Sequence, residues 1–242
     1  MFSREKALKF IYRREHPEGG FTLYEGIPDT KNTYYALKTL KILSKEPNNL
    51  EKTLNWISYL QSGRMFGLKG VFYRSNILKI YCKELKVPEN YKKMLAMRNE
   101  FSSMELAFLS TSILKLTGHM NFENVKEWVL KQKKEVGGFG RKTSDIMSTY
   151  YALEILNLVD PEFTNRDYFE DISSDVADFT AICQTSDGGF AYKPGSSPSY
   201  IEGVYAGMRI HEILGFNPQN PGKIVDFIQK LQNRDGGFRR SK

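Results

Sequence analysis

Cysteine is nearly absent from this chain. Cys82 and Cys183 are the only two in 242 residues, which excludes a disulfide framework or a cysteine-built metal knuckle. Histidine is almost as scarce. His16 and His119 sit in or beside turns, and His211, between Ile210 and Ile213, reads as a satisfied core or rim residue before it reads as a base. No apolar run reaches the roughly 20 residues that span a bilayer. No signal-peptide core follows Met1-Phe2-Ser3-Arg4-Glu5-Lys6, so a reducing, cytoplasmic setting is expected. Walker loops, dinucleotide fingerprints and a Ser-His-Asp order are all missing. The net charge is +7, yet no basic run is long. The lysines therefore read as a solvated surface, nucleic acid is not expected as a partner, and a phosphorylated small substrate remains open.

What the chain has instead is a repeat. Gln184-Thr185-Ser186-Asp187-Gly188-Gly189-Phe190 returns almost letter for letter as Gln232-Asn233-Arg234-Asp235-Gly236-Gly237-Phe238. Gln132 to Phe139 reads as a copy with one extra residue and Arg14 to Phe21 as a fourth copy. The stretch from Gln61 to Gly70-Val71-Phe72 reads as a degenerate one. The phenylalanines at 21, 72, 139, 190 and 238 stand 51, 67, 51 and 48 residues apart, a recurrence that marks a repeat architecture. Each copy has one grammar. An amphipathic run ends in polar residues, and two glycines stop it by allowing positive φ and close backbone approach. The phenylalanine anchors the turn in apolar packing, and a more apolar helix follows. The glycine pairs end helices rather than open them, so they are not phosphate cradles.

The repeats run from end to end, so residues 1–242 are expected to form a single domain. The spacing predicts helix pairs 4–15 with 31–44, 50–60 with 76–85, 90–98 with 102–117, 123–134 with 145–159, and 167–184 with 200–214. An unpaired helix over 221–232 brings the number to eleven. Phe101-Ser102-Ser103-Met104-Glu105 reads as a helix cap followed by a first-turn carboxylate. In 223–232, Ile224, Val225, Phe227, Ile228 and Leu231 make one apolar face of a half-exposed helix. In 145–159 almost no polar face is left, so that helix is expected to be buried on most sides. Alternating outer amphipathic and inner apolar helices suit an all-α ring, an α/α toroid of about six hairpins with the last incomplete. An open solenoid also fits the alternation but needs capping repeats. Tyrosines on the inner helices would line a central cavity.

The Gln…Asp-Gly-Gly-Phe repeat followed by an apolar helix resembles the α/α-barrel of protein prenyltransferase β subunits and terpenoid cyclases. The likeness is clear in repeats one, four, five and six, and it implies a fold more firmly than an activity. In the prenyltransferases zinc is held by Asp-x-Cys at one inner-helix start and by His at a later one, with a basic cluster before the Asp. The metal activates a substrate thiolate, as soft sulfur ligation requires. Here Gly137-Gly138-Phe139-Gly140-Arg141-Lys142-Thr143-Ser144-Asp145-Ile146-Met147 is similar to that segment. Arg141 and Lys142 match the basic cluster and Asp145 the first ligand, but Met147 stands in place of Cys. Lys193-Pro194-Gly195 to Glu202 is similar to the segment leading to the His ligand, with Glu202 in its place. The cyclase acid motif, Asp-x-Asp-Asp, is absent. Asp171, Asp175 and Asp178 share a helical face and read as solvated.

The resemblance implies a prenyltransferase-like protein that binds an isoprenoid diphosphate, or another lipid, in an aromatic-lined central cavity. Tyr34, Tyr150 and Tyr205 would hold the tail, and Arg141, Lys142, Lys193 and Arg209 the diphosphate. Asp145 and Glu202 would supply polar chemistry at the mouth. With two of three ligand positions replaced, zinc is disfavoured and catalysis by the family's route with it. Two hard oxygen ligands suit magnesium or a plain hydrogen-bond network. The alternative is a non-catalytic lipid- or protein-binding scaffold on the same toroid. A partner like the family's helical-repeat α subunit, or another protein, fits either reading. The purified chain is expected to carry no stoichiometric zinc and to leave a cysteine peptide unprenylated. Met147→Cys with Glu202→His is expected to create a zinc site, and elemental analysis of both proteins checks the pair of expectations.

Overall fold

Helix follows helix through a computed structural model of the protein that describes residues 3–24, 26–62 and 67–242, side chains 61 and 62 aside. The helices are α1 (Arg4–Tyr12), α2 (Thr30–Ile42), α3 (Leu50–Ser62), α4 (Leu68–Ile80), α5 (Glu89–Ala96) and α6 (Met104–Leu116). They continue as α7 (Glu123–Leu130), α8 (Ile146–Val159), α9 (Tyr168–Cys183), α10 (Ile201–Leu214) and α11 (Pro221–Leu231), with a short 3-10 turn at Phe163–Asn165. Side-chain caps start three of the inner helices. Asp29 accepts from the Asn32 N–H at 2.9 Å, Ser103 from Leu106 at 3.2 Å and Asp145 from Ser148 at 2.8 Å. Each satisfies a backbone donor that the helix cannot use itself.

The even-numbered helices form the inner layer: α2 packs on α4, α4 on α6, α6 on α8 and α8 on α10. The odd-numbered ones lie outside. Burial follows the apolar pattern, since α8 buries Ile146, Thr149, Tyr150, Ala152, Leu153, Ile155 and Leu156, around most of its circumference. The outer α11 buries only Ile224, Phe227 and Leu231, while Val225, expected on that apolar face, is exposed. The architecture is the expected all-α toroid, with eleven helices among the described residues.

Four glycine-pair turns hold the layers in register. In each, an isolated bridge joins the phenylalanine to the residue six positions before it: Glu15 to Phe21, Lys133 to Phe139, Gln184 to Phe190 and Gln232 to Phe238. The copy ending at Phe139 therefore has no extra residue, and its bridging position is Lys133, not Gln132. The first glycine has positive φ in every copy, from 89° at Gly188 to 100° at Gly19. It also lies against the backbone of the next outer helix. A Cβ on Gly137 would strike the Asp175 carbonyl of α9, on Gly188 the Lys223 carbonyl of α11, and on Gly236 the Lys6 carbonyl of α1. The last contact closes the circle, because the turn after α11 docks on α1. Ser3 N–H and Gln232 Oε1 (2.9 Å), the Gln232 amide and Ser3 O (3.1 Å), and Arg13 and Asp235 O (3.1 Å) reinforce it.

The second repeat departs from expectation. Gly70-Val71-Phe72 is not a turn but lies within α4, which begins at Leu68 and ends at Ile80 rather than running from 76 to 85. A single glycine costs a helix only about 1 kcal/mol. The burial of Val71, Phe72, Tyr73, Ile77 and Leu78 along α4 overrides it. Residues 63–66 of that expected copy lie outside the described residues. Ser103 and Glu105 take the expected cap and first-turn places in α6.

Away from the turns, Asp160 ties the end of α8 to α7 and α9. It is buried and accepts from Lys126 Nζ at 3.0 Å, from Arg166 Nε and Nη2 at 3.0 Å each, and from the Tyr168 hydroxyl at 3.2 Å. The Arg166 guanidinium, ahead of Lys126, holds its carboxyl far below the usual carboxylate range despite burial.

Gly236→Ala is expected to destabilise the protein by about 2–4 kcal/mol, combining a left-handed φ with a backbone clash at the ring closure. Gly222→Ala, in α11 with open space around it, is expected to raise stability by up to about 1 kcal/mol. Urea denaturation of both variants makes the comparison. Asp160→Asn is expected to cost about 2–4 kcal/mol at pH 7. Its folded pKa is depressed, so this stabilisation is complete above the unfolded carboxylate value and is lost as pH falls toward the lowered one. The difference between the two proteins should therefore shrink below about pH 4.

Candidate functional site

The inner helices bring aromatic side chains together in an unbroken chain. Tyr34 on α2 lies 5.5 Å from Tyr73 on α4, and Phe72 on α4 lies 5.6 Å from Phe108 on α6. Phe108 lies 5.4 Å from Tyr151 on α8, and Tyr150 lies 5.6 Å from Tyr205 on α10. All these separations are centroid distances within the range of favourable aromatic pairs. Tyr35, Tyr73 and Tyr151 each stand six residues after their N-caps at 29, 67 and 145, so they share one level. Burial holds the phenols of Tyr73, Tyr150 and Tyr151 well above the usual phenol range. They are neutral at physiological pH. The sequence-predicted Tyr34, Tyr150 and Tyr205 all belong to this belt.

One end of the ring gathers the starts of the inner helices. Lys69 at the start of α4 pairs with Glu105 at the start of α6 at 2.8 Å. Arg141 Nη1 donates to Ser102 O at 3.2 Å, joining the segment before α8 to the one before α6. Ile146 N–H donates to Tyr192 O at 2.9 Å, and Ile201 N–H to Arg240 O at 2.9 Å. Lys193 Nζ donates to Thr143 Oγ1 at 2.8 Å. Arg141, Lys142, Asp145, Lys193 and Glu202 are thus all at this end, with Arg141, Lys142 and Lys193 exposed. Aligned helix N-termini and cations with no acidic partner among the described residues together favour an anion there.

The two carboxylates have structural duties. Asp145 caps α8, and its Oδ2 accepts from the Ser148 hydroxyl at 2.7 Å. Glu202 Oε1 accepts from Arg240 Nε at 3.0 Å, while its Oε2 is buried with no hydrogen-bond partner among the described residues. Arg240 also donates through Nη2 to the Tyr192 hydroxyl at 3.0 Å, and its guanidinium lies 4.5 Å over the Tyr200 ring. The Tyr192 and Glu202 bonds hold the guanidinium above its ordinary pKa.

Arg209 stands apart from the other cations. It lies in the third turn of α10, with Nε and Nη2 on Glu154 Oε1 at 2.9 and 2.7 Å and Nη1 on Glu212 at 2.6 Å. Sequence reasoning missed Glu154 because it is the lone acid of an apolar helix. Arg240 was also missed, although it stands two residues after Phe238 as Arg141 does after Phe139. The remaining candidates have plain surroundings. Burial pushes the Cys183 thiol up to about 12, His211 Nδ1 bonds Gly207 O at 2.8 Å, and Asp171, Asp175 and Asp178 are exposed.

The residues present do not fit the zinc that the family resemblance implies. Asp145 spends both oxygens on Ser148, Met147 offers only a neutral thioether, and Glu202 already faces a guanidinium. No group of three His, Cys, Asp or Glu that could hold a metal occurs among the described residues.

Comparison with known proteins agrees with the architecture. The profile of the prenyltransferase alpha-alpha toroid domain matches residues 1–79 and 79–242. Among solved structures, the chain is similar to Candida albicans protein geranylgeranyltransferase-I complexed with GGPP. The TM-score is 0.68 and the identity 17%, over 91% of this chain and 82% of that one. At that identity the likeness speaks to the fold. With a family profile matched from end to end on an inner and outer layer of helices locked by glycine-pair turns, the chain belongs to the prenyltransferase alpha-alpha toroid family.

Proposed function

We propose that this protein binds an isoprenoid diphosphate, with the prenyl tail in a cavity among the inner-helix aromatics and the diphosphate at the cationic end. The observation that carries the reading is that both halves of such a ligand find their chemistry on the inner helices and the segments that lead into them. An apolar tail is matched by Tyr34, Phe72, Phe108, Tyr150 and Tyr205. A diphosphate is matched by exposed Arg141, Lys142 and Lys193 beside the helix starts. The similarity to a toroid solved with GGPP supports it. Arg209 has no part in the diphosphate site of this reading, since its guanidinium is bound to Glu154 and Glu212.

The state of the carboxylates favours binding without metal-assisted transfer. Asp145 as a helix cap and Glu202 as the partner of Arg240 position the mouth rather than react in it. The same toroid would then serve as a lipid-binding module.

Arg141→Ala with Lys142→Ala is expected to weaken geranylgeranyl or farnesyl diphosphate binding by roughly 1.5–3 kcal/mol for each charge-assisted phosphate hydrogen bond removed. Titration calorimetry reads it. Unchanged affinity in the double variant takes both residues out of the site.

A further inference from the structure

A cavity opens at the far end of α6, where α5 and the start of α7 meet its last turn. Its lining comes from these three helices and the segments that join them, and from neither α2 nor α10. Leu114, in its wall, follows the cap Ser103 by three turns of helix, so the cavity lies roughly 16 Å from the cationic rim. Two compartments share Ala96, Leu114 and His119. The smaller has a volume of about 160 Å³ and an apolar wall of Leu95, Leu114, Phe122 and Val125, all buried. An apolar space of about 150 Å³ is enough to hold a benzene ring. The larger, of about 320 Å³, runs along α5 past Lys93 and Thr117.

The charged groups at the mouth are mostly cations. Lys92, Lys93 and Arg98 line it against one carboxylate, Glu89, which Lys92 already holds in an i, i+3 pair. Lys93 and Arg98 are exposed and have no acidic partner among the described residues. Glu123, at the start of α7, does not line the cavity. A further cation, Lys115, lies 5.8 Å over the Phe122 ring. The His119 ring is set edge-on to the same phenylalanine, 5.2 Å between centroids. Asn124 and Val125 are the second and third residues of α7, whose N-cap Phe122 makes no side-chain hydrogen bond. Their backbone N–H groups therefore have no partner within the helix.

We propose that this cavity is a second ligand site, for an oxyanion (a phosphate monoester or a carboxylate) carried on a compact apolar body. The body sits against Leu114 and Phe122, and the oxyanion meets Arg98, Lys93 and His119 at the mouth. An apolar pocket with a few convergent polar groups is the usual form of a small-ligand site. A planar guanidinium can engage two oxyanion oxygens at once. Neither half of the lining accounts for the other: a solvated lysine face needs no cavity, and a gap in packing needs no cations. The inference is independent of the diphosphate-binding reading.

Titration of the full chain with phenyl phosphate, followed residue by residue by amide NMR, tests it. Saturable shifts are expected at His119, Asn121, Asn124 and Val125. Inorganic phosphate and benzyl alcohol each carry one half of the ligand and are expected to bind at least about tenfold more weakly. Lys93→Gln with Arg98→Gln, at exposed positions, is expected to lower phenyl phosphate affinity by about tenfold or more. Ala96→Phe, also at an exposed position, fills the shared wall and is expected to abolish binding there. Shifts confined to Arg141, Lys142 and Lys193 overturn the inference and leave the diphosphate reading standing. Equal affinity for inorganic phosphate reduces the site to surface charge, and equal affinity for benzyl alcohol reduces it to an apolar gap; either result overturns it. Absence of binding, or unchanged affinity in both variants, overturns it as well.

Discussion

Everything in this molecule depends on one approach of backbone to backbone. The first glycine of each intact turn presses against the next outer helix so closely that a methyl group there would strike a carbonyl. The second lies flat on an aromatic ring of that helix: Gly20 on Trp56, Gly138 on Phe179, Gly189 on Phe227 and Gly237 on Phe10. Contact at that distance gathers dispersion from many atoms at once. It also fixes the angle between successive hairpins, because the turn cannot slide without leaving its ring. Four such joints, the last of them onto α1, bend a row of hairpins into a circle. An open solenoid would have left that last turn exposed to solvent.

Because each hairpin is antiparallel, the circle sets all inner helices parallel to one another. Their N-terminal ends then add at one rim, each with roughly half a positive charge. Acidic groups answer part of this field. Asp29 and Asp145 cap two helices, while Glu105 and Glu202 are neutralised by Lys69 and Arg240. Arg141, Lys142 and Lys193 are left over and exposed. The rim is therefore positive by construction, and the aromatic belt lies one to two turns below it. A ligand with an anionic head and an apolar tail matches both from one direction.

The fold was legible in the sequence wherever the glycine pairs survive, because close approach leaves no other residue for those positions. Where the turn is lost, nothing local marks the boundary. The start of α4 at Leu68, rather than at 76, is set by what covers Val71, Phe72 and Ile77. The site was legible as composition but not as pairing. Arg141 and Lys142 could be read from their position after Phe139. Arg209 read as a free cation because Glu154 is 55 residues away and comes into contact only when α8 packs on α10. Arg240 reaches Glu202 across 38 residues, by way of the ring closure that places the last turn beside α10.

That pairing decides what the rim can do. A zinc ion binds a thiol directly and withdraws enough charge to leave a thiolate at neutral pH. The Arg240 guanidinium carries a single delocalised charge and makes no bond to sulfur. It shares that charge with Glu202 and Tyr192. Its planar fork suits phosphate oxygens instead, as bidentate hydrogen bonding to oxyanions requires. With the Arg240–Glu202 pair at this place, the rim keeps a positive group. In the reading proposed above, the aromatic belt and the cations beside it hold the ligand, and neither depends on a metal. That reading is therefore of a toroid whose rim offers a bound ligand a guanidinium–carboxylate pair in place of a thiolate-generating centre.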